Sequence, residues 1–350
     1  MHDPQNTPSI FCTFAKNFRV KKILVIRFSS IGDIVLTTPI VRCLKKQLAE
    51  SEVHYLTKQA FEPVLKSNPY IDKIITIHKN IDEVIPGLLK EHYDHIVDLH
   101  KNFRSFGIRL KLGRKGTSFT KLNFRKWLLV RFKINLLPDI HIVDRYFSAV
   151  KGLGVINDMA GLDYYIADQD RISMDLLPQT HQKGYVAMVI GGKHKTKQLP
   201  TEKVIELIGR FTYPVVILGG PEEIEEGRKI EQQVGERVSS TCGKFNISQS
   251  ASIVEQARVV ITNDTGLMHI AAAFNKPLIS IWGNTVPELG MYPYMPQHSD
   301  RFRIFEVNGL PCRPCSKIGF EKCPEKHFKC MMDQDVNTIV EAIKKFWGNK

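Results

Sequence analysis

The sequence has 350 residues, enough for two domains that each bury a core of their own. A composition of 43% hydrophobic and 24% charged residues is that of an ordinary globular protein, and no apolar run approaches the roughly 20 residues that a membrane-spanning helix needs. The formal net charge of +13 is informative because the basic residues are not spread evenly along the chain.

Residues 1–20 are polar and lack the apolar centre and the cleavage site of a signal peptide. We expect them to form a loosely held extension to the first domain. Without an export signal, the expected compartment is the reducing cytoplasm, which argues against a disulfide framework.

Residues 21–178 alternate short apolar runs with helical patterns, which predicts a first domain with a parallel sheet and helices on both faces. The β-branched run at 22–27 is typical of a strand buried on both sides. The predicted elements are strands 22–27, 53–56, 73–77 and 95–99, helices 34–48, 61–67, 81–91 and 143–152, and basic helices between 104 and 132. Pro39 is expected to kink or delay the helix 34–48.

A Ser-Ser-Ile-Gly-Asp turn, residues 29–33, follows the first strand. Gly32 permits a tight turn into the next helix, whose first amides can face an anion. Asp33 is predicted at the carboxyl end of a central strand, either as a catalytic carboxylate facing a cleft or as the helix cap. With a single glycine, the turn lacks the Gly-x-Gly-x-x-Gly fingerprint, which disfavours a nicotinamide enzyme.

Residues 101–133 contain many basic and apolar side chains but no Asp or Glu. Such a segment attracts anionic lipid headgroups, phosphorylated ligands or nucleic acid. The alternative is a solvated helix face whose counter-charges come from elsewhere in the fold. The basic residues are Lys101, Arg104, Arg109, Lys111, Arg114, Lys115, Lys121, Arg125, Lys126, Arg131 and Lys133.

Residues 179–350 repeat the alternating pattern and predict a second domain of the same kind. Two successive doubly wound halves place a ligand cleft between them, lined by loops at the carboxyl ends of the strands. The predicted elements are strands 184–190, 214–218, 257–262 and 277–282, and helices 201–211, 224–234, 267–274 and 336–347.

The first loop of this second half, residues 191–200, has two glycines at its start and three lysines before the next helix. Gly192, Lys193 and Lys197 belong to it, and its position predicts that it directs positive charge into the cleft. A solvated surface loop is the alternative interpretation.

A second motif, Asn-Asp-Thr-Gly-Leu-Met-His, closes one predicted strand and opens the next helix. Asp264 or Thr265 is predicted to cap this helix, which leaves the N–H groups of Thr265, Gly266 and Leu267 free. These amides and the helix dipole suit a diphosphate. His269, one turn into the helix, is either a buried core histidine or a phosphate contact.

A loop near the C-terminus is rich in cysteine. Its four cysteines have the count for a tetrahedral structural zinc site, and His327 offers a substitute ligand. The spacing of the second pair is wider than zinc sites usually have, and reduced apolar thiols or an air-formed disulfide are the alternatives. No metal is therefore assigned to Cys312, Cys315, Cys323 and Cys330.

The turn at 29–33 and the Asp264-Thr-Gly-x-x-His269 element followed by three alanines resemble the ADP-heptose–lipopolysaccharide heptosyltransferase family, glycosyltransferase family 9. The Lys197-x-x-Pro200 element stands at the matching place between them, and the order and spacing of the motifs agree from about residue 21 onward. The cysteine pattern is most similar to the branch that adds a second or later heptose. The resemblance implies a GT-B fold, with two facing Rossmann-like domains, and inverting transfer without a metal or other cofactor.

The resemblance also implies roles in the donor site. Asp33 would be the general base that deprotonates the acceptor hydroxyl, and Lys197 would hold the diphosphate and stabilise the leaving nucleotide. A carboxylate after the Gly-Gly-Pro turn at 219–221 would bind the ribose hydroxyls, and an aromatic side chain would pack near the adenine. The donor residues implied in this way are Gly192, Lys193, Lys197, Glu222 or Glu223 for the ribose, Phe245 for the adenine, Asp264, Thr265, Gly266, Leu267 and His269.

On the acceptor side, the resemblance implies that the basic segment meets the phosphates of a lipopolysaccharide inner core and the anionic inner membrane. Leu199 departs from the family, which commonly has Trp at this position, and this leaves the donor base and sugar open. The predicted acceptor residues are Ser30, Gly32, Lys101, Arg104, Arg125, Lys126 and Arg131.

Two other classes of function remain open from the sequence. A nucleotide-sugar epimerase or hydrolase shares the fold and the donor site, but it needs no lipid-directed basic surface. A nucleic-acid-binding protein explains the charge, yet no RNA- or DNA-binding signature is present, so a nucleic-acid partner is not predicted.

Overall fold

A computed structural model describes residues 21–348, so the predicted N-terminal extension, residues 1–20, lies outside the described residues. The first half forms a parallel sheet of the strands β1 (Lys22–Ile26), β2 (Glu52–Lys58), β3 (Lys73–Ile77), β4 (His95–Asp98) and β5 (Gly116–Ser118). The strand order is β3-β2-β1-β4-β5, the doubly wound order. Its order reverses between β1 and β4, so a ligand crevice is expected at the carboxyl ends of these two strands.

The helices of this half differ from the predicted ones at four places, two of which involve a proline. The predicted helix 34–48 is two helices, because Pro39 has no N–H to donate and is accommodated only in the first turn of a new helix. The predicted helix 61–67 is a 3-10 helix with Pro63 inside it. The α-helices are α1 (Ile31–Val35), α2 (Thr38–Gln47), α3 (Ile85–Lys90), α4 (Phe103–Leu112), α5 (Asn123–Phe132) and α6 (Ile142–Phe147).

The second half forms a parallel sheet of the strands β6 (Val186–Val189), β7 (Val215–Leu218), β8 (Val238–Ser240), β9 (Val259–Asn263), β10 (Leu278–Trp282) and β11 (Phe302–Glu306). Its order, β11-β10-β9-β6-β7-β8, reverses between β6 and β9. The sequence does not predict β5, β8 or β11, because these edge strands are short or only half-buried and lack a continuous apolar run.

The sequence analysis misses the short helix Lys329–Met332 and one longer helix of the second half. This helix, α9, is polar in composition and begins at a capping box, in which Asn246 and Gln249 bond to each other's backbone N–H groups. The α-helices are α7 (Thr201–Gly209), α8 (Ile224–Val234), α9 (Ile247–Gln256), α10 (Gly266–Ala273), α11 (Lys329–Met332) and α12 (Val336–Gly348).

Short 3-10 helices occupy several connections between these elements. Where the sequence predicts one helix over 81–91, a 3-10 turn precedes α3, and the predicted helix 143–152 ends early and is followed by another. The 3-10 helices are Gln59–Val64, Ile81–Glu83, Lys151–Leu153, Asp168–Asp170, Met174–Leu176, Lys195–Lys197, Pro221–Glu223, Pro287–Leu289 and Ser299–Arg301.

The two halves meet through the first turns of α1 and α10. A Cβ atom at Gly32 would lie 2.6 Å from His269 Cδ2, and one at Gly266 would lie 2.7 Å from Ile31 Cγ2. Two glycines therefore allow the backbones of these helices to approach closely. A single apolar cluster continues from the first sheet through this contact into the second.

A buried ion pair fixes the segment between the halves. Arg42 on α2 is 3% exposed and donates to the carboxylates of Asp158 and Asp163, on the chain that leads to the second sheet. None of the helices that the structure describes is both long and apolar enough to cross a membrane.

Candidate active site

Asp33 lies in the first turn of α1, directly beyond the carboxyl end of β1. Its Oδ1 lies 2.6 Å from Arg27 Nη2, and its Oδ2 accepts hydrogen bonds from the backbone N–H and the hydroxyl of Ser30. Burial raises the pKa of Asp33, but the Arg27 charge and the Ser30 hydrogen bonds outweigh it and hold the pKa below its usual value. Ser30, not Asp33, is the N-cap residue of α1, so the alternative that Asp33 caps the helix is wrong in that form.

Arg27 is a site residue that the sequence analysis misses. Its guanidinium is nearly buried and also donates to the carbonyls of Ser29 and Leu99 and to the hydroxyl of Tyr146. This network fixes the guanidinium beside Asp33, which stays ionised while 23% of its side chain remains exposed. An arginine that closes an otherwise apolar strand is the signal that the sequence offered.

The N-terminus of α10 faces the same cleft from the second half. Thr265 is its N-cap residue, and its hydroxyl pairs with that of Thr262 at 3.1 Å. His269 is 2% exposed and its Nδ1 has no hydrogen-bond partner among the described residues. Burial lowers the pKa of His269 to about 4, so the imidazole is neutral at neutral pH, as the buried interpretation expects. Leu267 packs at the edge of the shared apolar cluster.

Lys197 and Asp264 form a tight pair in the cleft. The Lys197 Nζ lies 2.5 Å from Asp264 Oδ2, and the Thr285 hydroxyl donates to the same oxygen at 3.0 Å. Lys197 belongs to the 3-10 turn before α7, not to the helix start itself. Both side chains are mostly buried, so the lysine is held at a fixed place beside the α10 N-terminus.

Two glycine-rich turns, after β6 and β7, surround the Glu223 carboxylate. Glu223 is 6% exposed and accepts hydrogen bonds from the Gly220 N–H at 2.9 Å and from the Gln198 amide at 2.9 Å. Gln198 also donates to the carbonyl of Gly192, which links the two turns. Glu222 is exposed, so Glu223 is the one of the two predicted ribose carboxylates that the fold holds in place.

Two other predicted donor residues lie at the margin of this arrangement. Phe245 is half-buried and packs against the apolar cluster, just before α9. Lys193 is exposed, and neighbouring Lys195 pairs with Glu226 on α8. Of the three loop lysines, only Lys197 is therefore seen to direct its charge to the cleft.

The predicted acceptor residues fall into two groups. Lys101 donates to the Phe119 carbonyl at 2.7 Å, and Arg104 lies over the Phe28 ring, 5.9 Å from its centroid. Arg125, Lys126 and Arg131 lie on α5, where Lys126 is half-buried and the other two are exposed. Lys126 is close enough to Asp33 for the two charges to interact.

The cysteine loop packs against α11 and the end of β10. Cys312 Sγ lies 3.8 Å from His327 Nε2, and the Cys315 thiol donates to the Cys312 carbonyl at 3.1 Å. Burial raises the pKa of Cys315 to about 11. The cysteines resolved between residues 21 and 348 are free.

Within the same described range, the group of side chains spaced closely enough to hold a metal ion is elsewhere: Glu52, His54 and Glu91. Glu91 pairs there with Lys22 and with Lys73. The group lies at the amino ends of β1 and β2, on the edge of the sheet opposite Asp33. These lysines already balance the carboxylates, so we interpret the group as an ion-pair network.

Residues 83–325, more than half of the chain, match the family model of glycosyltransferase family 9 (heptosyltransferase). The chain belongs to glycosyltransferase family 9. The predicted family and the predicted enzyme class, a glycosyltransferase, are therefore confirmed.

Curated members of the family match along most of their length. The family 9 enzyme is 23% identical to lipopolysaccharide heptosyltransferase 1 of Campylobacter coli, over 94% of this chain and 100% of that protein. It is 26% identical to lipooligosaccharide heptosyltransferase 2 of Haemophilus influenzae, over 81% of this chain and 88% of that protein.

Solved structures show the same architecture. A family 9 glycosyltransferase from Veillonella parvula superimposes with a TM-score of 0.75 at 21% identity, over 95% of this chain and 98% of that one. E. coli ADP-heptose lipopolysaccharide heptosyltransferase II superimposes with a TM-score of 0.70 at 20% identity, over 93% of this chain and 98% of that one. E. coli heptosyltransferase WaaC with ADP superimposes with a TM-score of 0.65 at 20% identity, over 93% of this chain and 99% of that one. The predicted GT-B fold is confirmed.

Proposed function

We propose that this family 9 enzyme transfers a heptose from ADP-heptose to the inner core of lipopolysaccharide, with inversion at the anomeric carbon. The names of the curated relatives support the acceptor, and the names of the E. coli structures support the donor. The site supports the reaction type, because a carboxylate and a helix N-terminus meet in one cleft.

In the proposed reaction, Asp33 accepts the proton of the acceptor hydroxyl as the hydroxyl oxygen attacks the anomeric carbon of the donor. The bond between that carbon and the β-phosphate oxygen breaks in the same displacement, and ADP leaves. Arg27 keeps Asp33 ionised and oriented, and the exposed part of the carboxylate is free to take the proton.

Lys197 and the amides at the start of α10 would stabilise the negative charge that develops on the departing diphosphate. The pair with Asp264 holds the Lys197 Nζ in place before the donor arrives. A fixed cation and fixed amide dipoles require little rearrangement during the reaction, which is the condition for effective electrostatic stabilisation.

Glu223 would accept hydrogen bonds from the ribose hydroxyls, and Phe245 would pack beside the adenine. The buried Glu223 carboxylate is held between the turns after β6 and β7 at the carboxyl edge of the sheet. This is the edge at which doubly wound folds bind nucleotides.

The acceptor is a lipid-linked molecule, so the enzyme would work at the cytoplasmic face of the inner membrane. The helix α4 supports this, because its apolar residues at one-turn spacing point to solvent: Phe103 is 95%, Phe106 54% and Leu110 64% exposed. An exposed apolar stripe with basic neighbours is typical of a helix that lies on an anionic bilayer.

The helix α5 adds a second exposed cluster of aromatic residues. Trp127 stacks on Phe124, with ring centroids 5.9 Å apart, and meets Phe132 edge-on at 5.2 Å. Arg125 and Arg131 lie on the same helix and are exposed.

Flotation with anionic and with neutral vesicles tests the proposed membrane surface of α4 and α5. Binding to anionic vesicles that R125E/R131E does not reduce would contradict it.

The observation that carries the proposal is the contact between α1 and α10, which brings Asp33 beside the N-terminus suited to a diphosphate. The test is incubation of the enzyme with ADP-heptose and an isolated inner-core acceptor. We expect ADP release that depends on the acceptor, a product heavier by one heptose, and an inverted anomeric linkage by NMR. Equal ADP release without the acceptor would indicate a hydrolase instead.

A further inference from the structure

Lys126 on α5 and Arg145 on α6 are two half-buried cations that have no ion-pair partner among residues 21–348. The Arg145 Nε and Nη2 are fully enclosed and make no hydrogen bond. An unpaired buried guanidinium is costly, and in a native protein such a group calls for a specific explanation, of which a functional role or a bound ion is one.

The two cations also repel each other. Burial, the largest effect, and the Arg145 charge together lower the pKa of Lys126 to about 8. Burial also lowers the pKa of Arg145. The charge of Asp33 raises the pKa of Lys126 and opposes this effect, so the two side chains are close enough to interact.

A third cation comes from the cysteine loop of the second half. Lys317 is exposed and lies close enough to Lys126 to lower its pKa. The loop is tied to the end of α5, because the Lys133 Nζ donates to the Pro314 carbonyl at 2.8 Å. It is also tied to the loop after β10 by Arg313, which donates to the carbonyls of Gly283 and Thr285.

We propose that Lys126, Arg145 and Lys317 form a second anion site, which binds a phosphate or carboxylate group of the acceptor next to the hydroxyl that Asp33 deprotonates. The inference rests on the proposed transfer reaction and adds the substrate chemistry at this place. An anion bridging the three cations would remove their mutual repulsion and give Arg145 the hydrogen-bond partner that it lacks.

This site differs from the diphosphate site in its charge balance. Lys197 already has a carboxylate partner, Asp264, at 2.5 Å, so its charge is compensated before the donor binds. Lys126 and Arg145 have none within the described chain. The uncompensated charge therefore lies on the acceptor side and selects acceptors that carry an oxyanion near the reacting hydroxyl. The cysteine loop would contribute one wall of this site.

The test uses R145Q, K126Q and the charge-conserving R145K in the full-length enzyme. We expect R145Q and K126Q to raise the KM for the acceptor by roughly 10- to 100-fold, the range for hydrogen bonds to charged groups, and to leave the affinity for ADP unchanged. R145K should lie between R145Q and the wild type. The matched control is K45Q, since Lys45 on α2 is half-buried like Lys126 but lies outside the basic segment and pairs with Asp72.

Thermal unfolding gives a readout that does not need turnover. With saturating ADP present to fill the diphosphate site, inorganic phosphate should further raise the unfolding midpoint of the wild type and of K45Q, but not that of R145Q, which should be more stable than the wild type without phosphate. An equal response of the wild type and R145Q to phosphate would overturn the site. If the wild type transfers no heptose, the proposed function fails while this measurement still tests the site.

Two treated acceptors identify the source of the anion. Removal of phosphate with a phosphatase should abolish the KM difference between R145Q and the wild type if the anion is a phosphate. Reduction of the carboxyl groups should abolish it if the anion is a carboxylate. A KM difference that survives both treatments, or an R145Q variant with unchanged KM, would overturn the proposal.

Discussion

The Asp33→Asn substitution tests the proposed base, and the structure allows its two consequences to be separated. Asn keeps the size of the side chain and still accepts a hydrogen bond from the Ser30 N–H. It removes the charge that faces Arg27 and the ability to take a proton. We therefore expect one loss in turnover and another in stability.

The magnitudes of these losses differ in origin. Removal of a general base lowers kcat by about 10²–10⁴, or about 3–5 kcal/mol in the barrier. Breaking a buried ion pair costs about 3–5 kcal/mol of folding free energy. In the 2.6 Å pair here, the Arg27 side chain is 10% exposed and the Asp33 side chain is 23% exposed, and the hydrogen bond from Ser30 survives the substitution. We therefore expect a smaller loss of folding free energy, about 2–3 kcal/mol.

The assay compares initial rates at saturating donor and acceptor, well below the unfolding midpoint, and ADP affinity by calorimetry. The affinity for ADP should stay within a few-fold of the wild type. The matched control is Asp158→Asn, because Asp158 pairs with the buried Arg42 at 2.8 Å, away from the cleft. This control should lose stability but keep its kcat.

Retention of a tenth or more of the wild-type kcat in Asp33→Asn would reduce Asp33 to a structural partner of Arg27.

The pH dependence of stability and activity gives a second test of Asp33. Because the folded-state pKa of Asp33 is lowered, the carboxylate stabilises the fold above its unfolded pKa of about 4 and loses this effect as the pH falls through the lowered value. Arg27→Gln removes the main lowering charge, so the acidic limb of activity should move to higher pH.

Four further outcomes are expected. Lys197→Ala and Thr265→Pro should each weaken ADP binding in calorimetry, one through lost charge and the other through disturbed helix amides; unchanged affinity in both would place the diphosphate elsewhere. Activity should survive EDTA, because Lys197 and the α10 amides take the role of a divalent ion; loss that Mg²⁺ restores would contradict this mechanism. Gly266→Ala should destabilise the enzyme by about 1–3 kcal/mol, because its Cβ would lie 2.7 Å from Ile31 Cγ2. Elemental analysis should decide the cysteine loop: near one zinc per chain supports a structural site, and a negligible amount leaves four thiols.

The sequence by itself determines the architecture and the approximate position of the cleft. Continuous β-branched runs such as β1 and β9 read as buried parallel strands, and the connections between them are long enough for helices. Ligands of doubly wound sheets bind at the carboxyl ends of the strands, so the motifs that follow β1 and β9 are predicted at the cleft from the sequence alone; that both strands lie where the strand order reverses is seen only in the structure. Asp33 and Asp264 were found in this way.

Local sequence patterns do not predict elements that lie at a sheet edge or have a polar composition. The strand β5 has three residues, and α9 is rich in Ser and Gln, so neither has a strong apolar period. The capping box of α9 was present in the sequence as Asn246-x-x-Gln249, but such pairs are common outside helices. Packing against the core, not local preference, decides that these segments are ordered as they are.

Only the tertiary structure decides the charge arrangement of the cleft. Arg27, Lys126, Arg145 and Lys317 come from distant parts of the chain. Arg27 closes an apolar strand and Lys126 belongs to the acid-free segment, but nothing in the local sequence shows which of the four are paired with a carboxylate. The fold brings Asp33 to Arg27, but within residues 21–348 it leaves Arg145 without a carboxylate. Pairing depends on distances of a few ångströms between remote segments, and these are set by the close approach of α1 and α10, which two glycines permit.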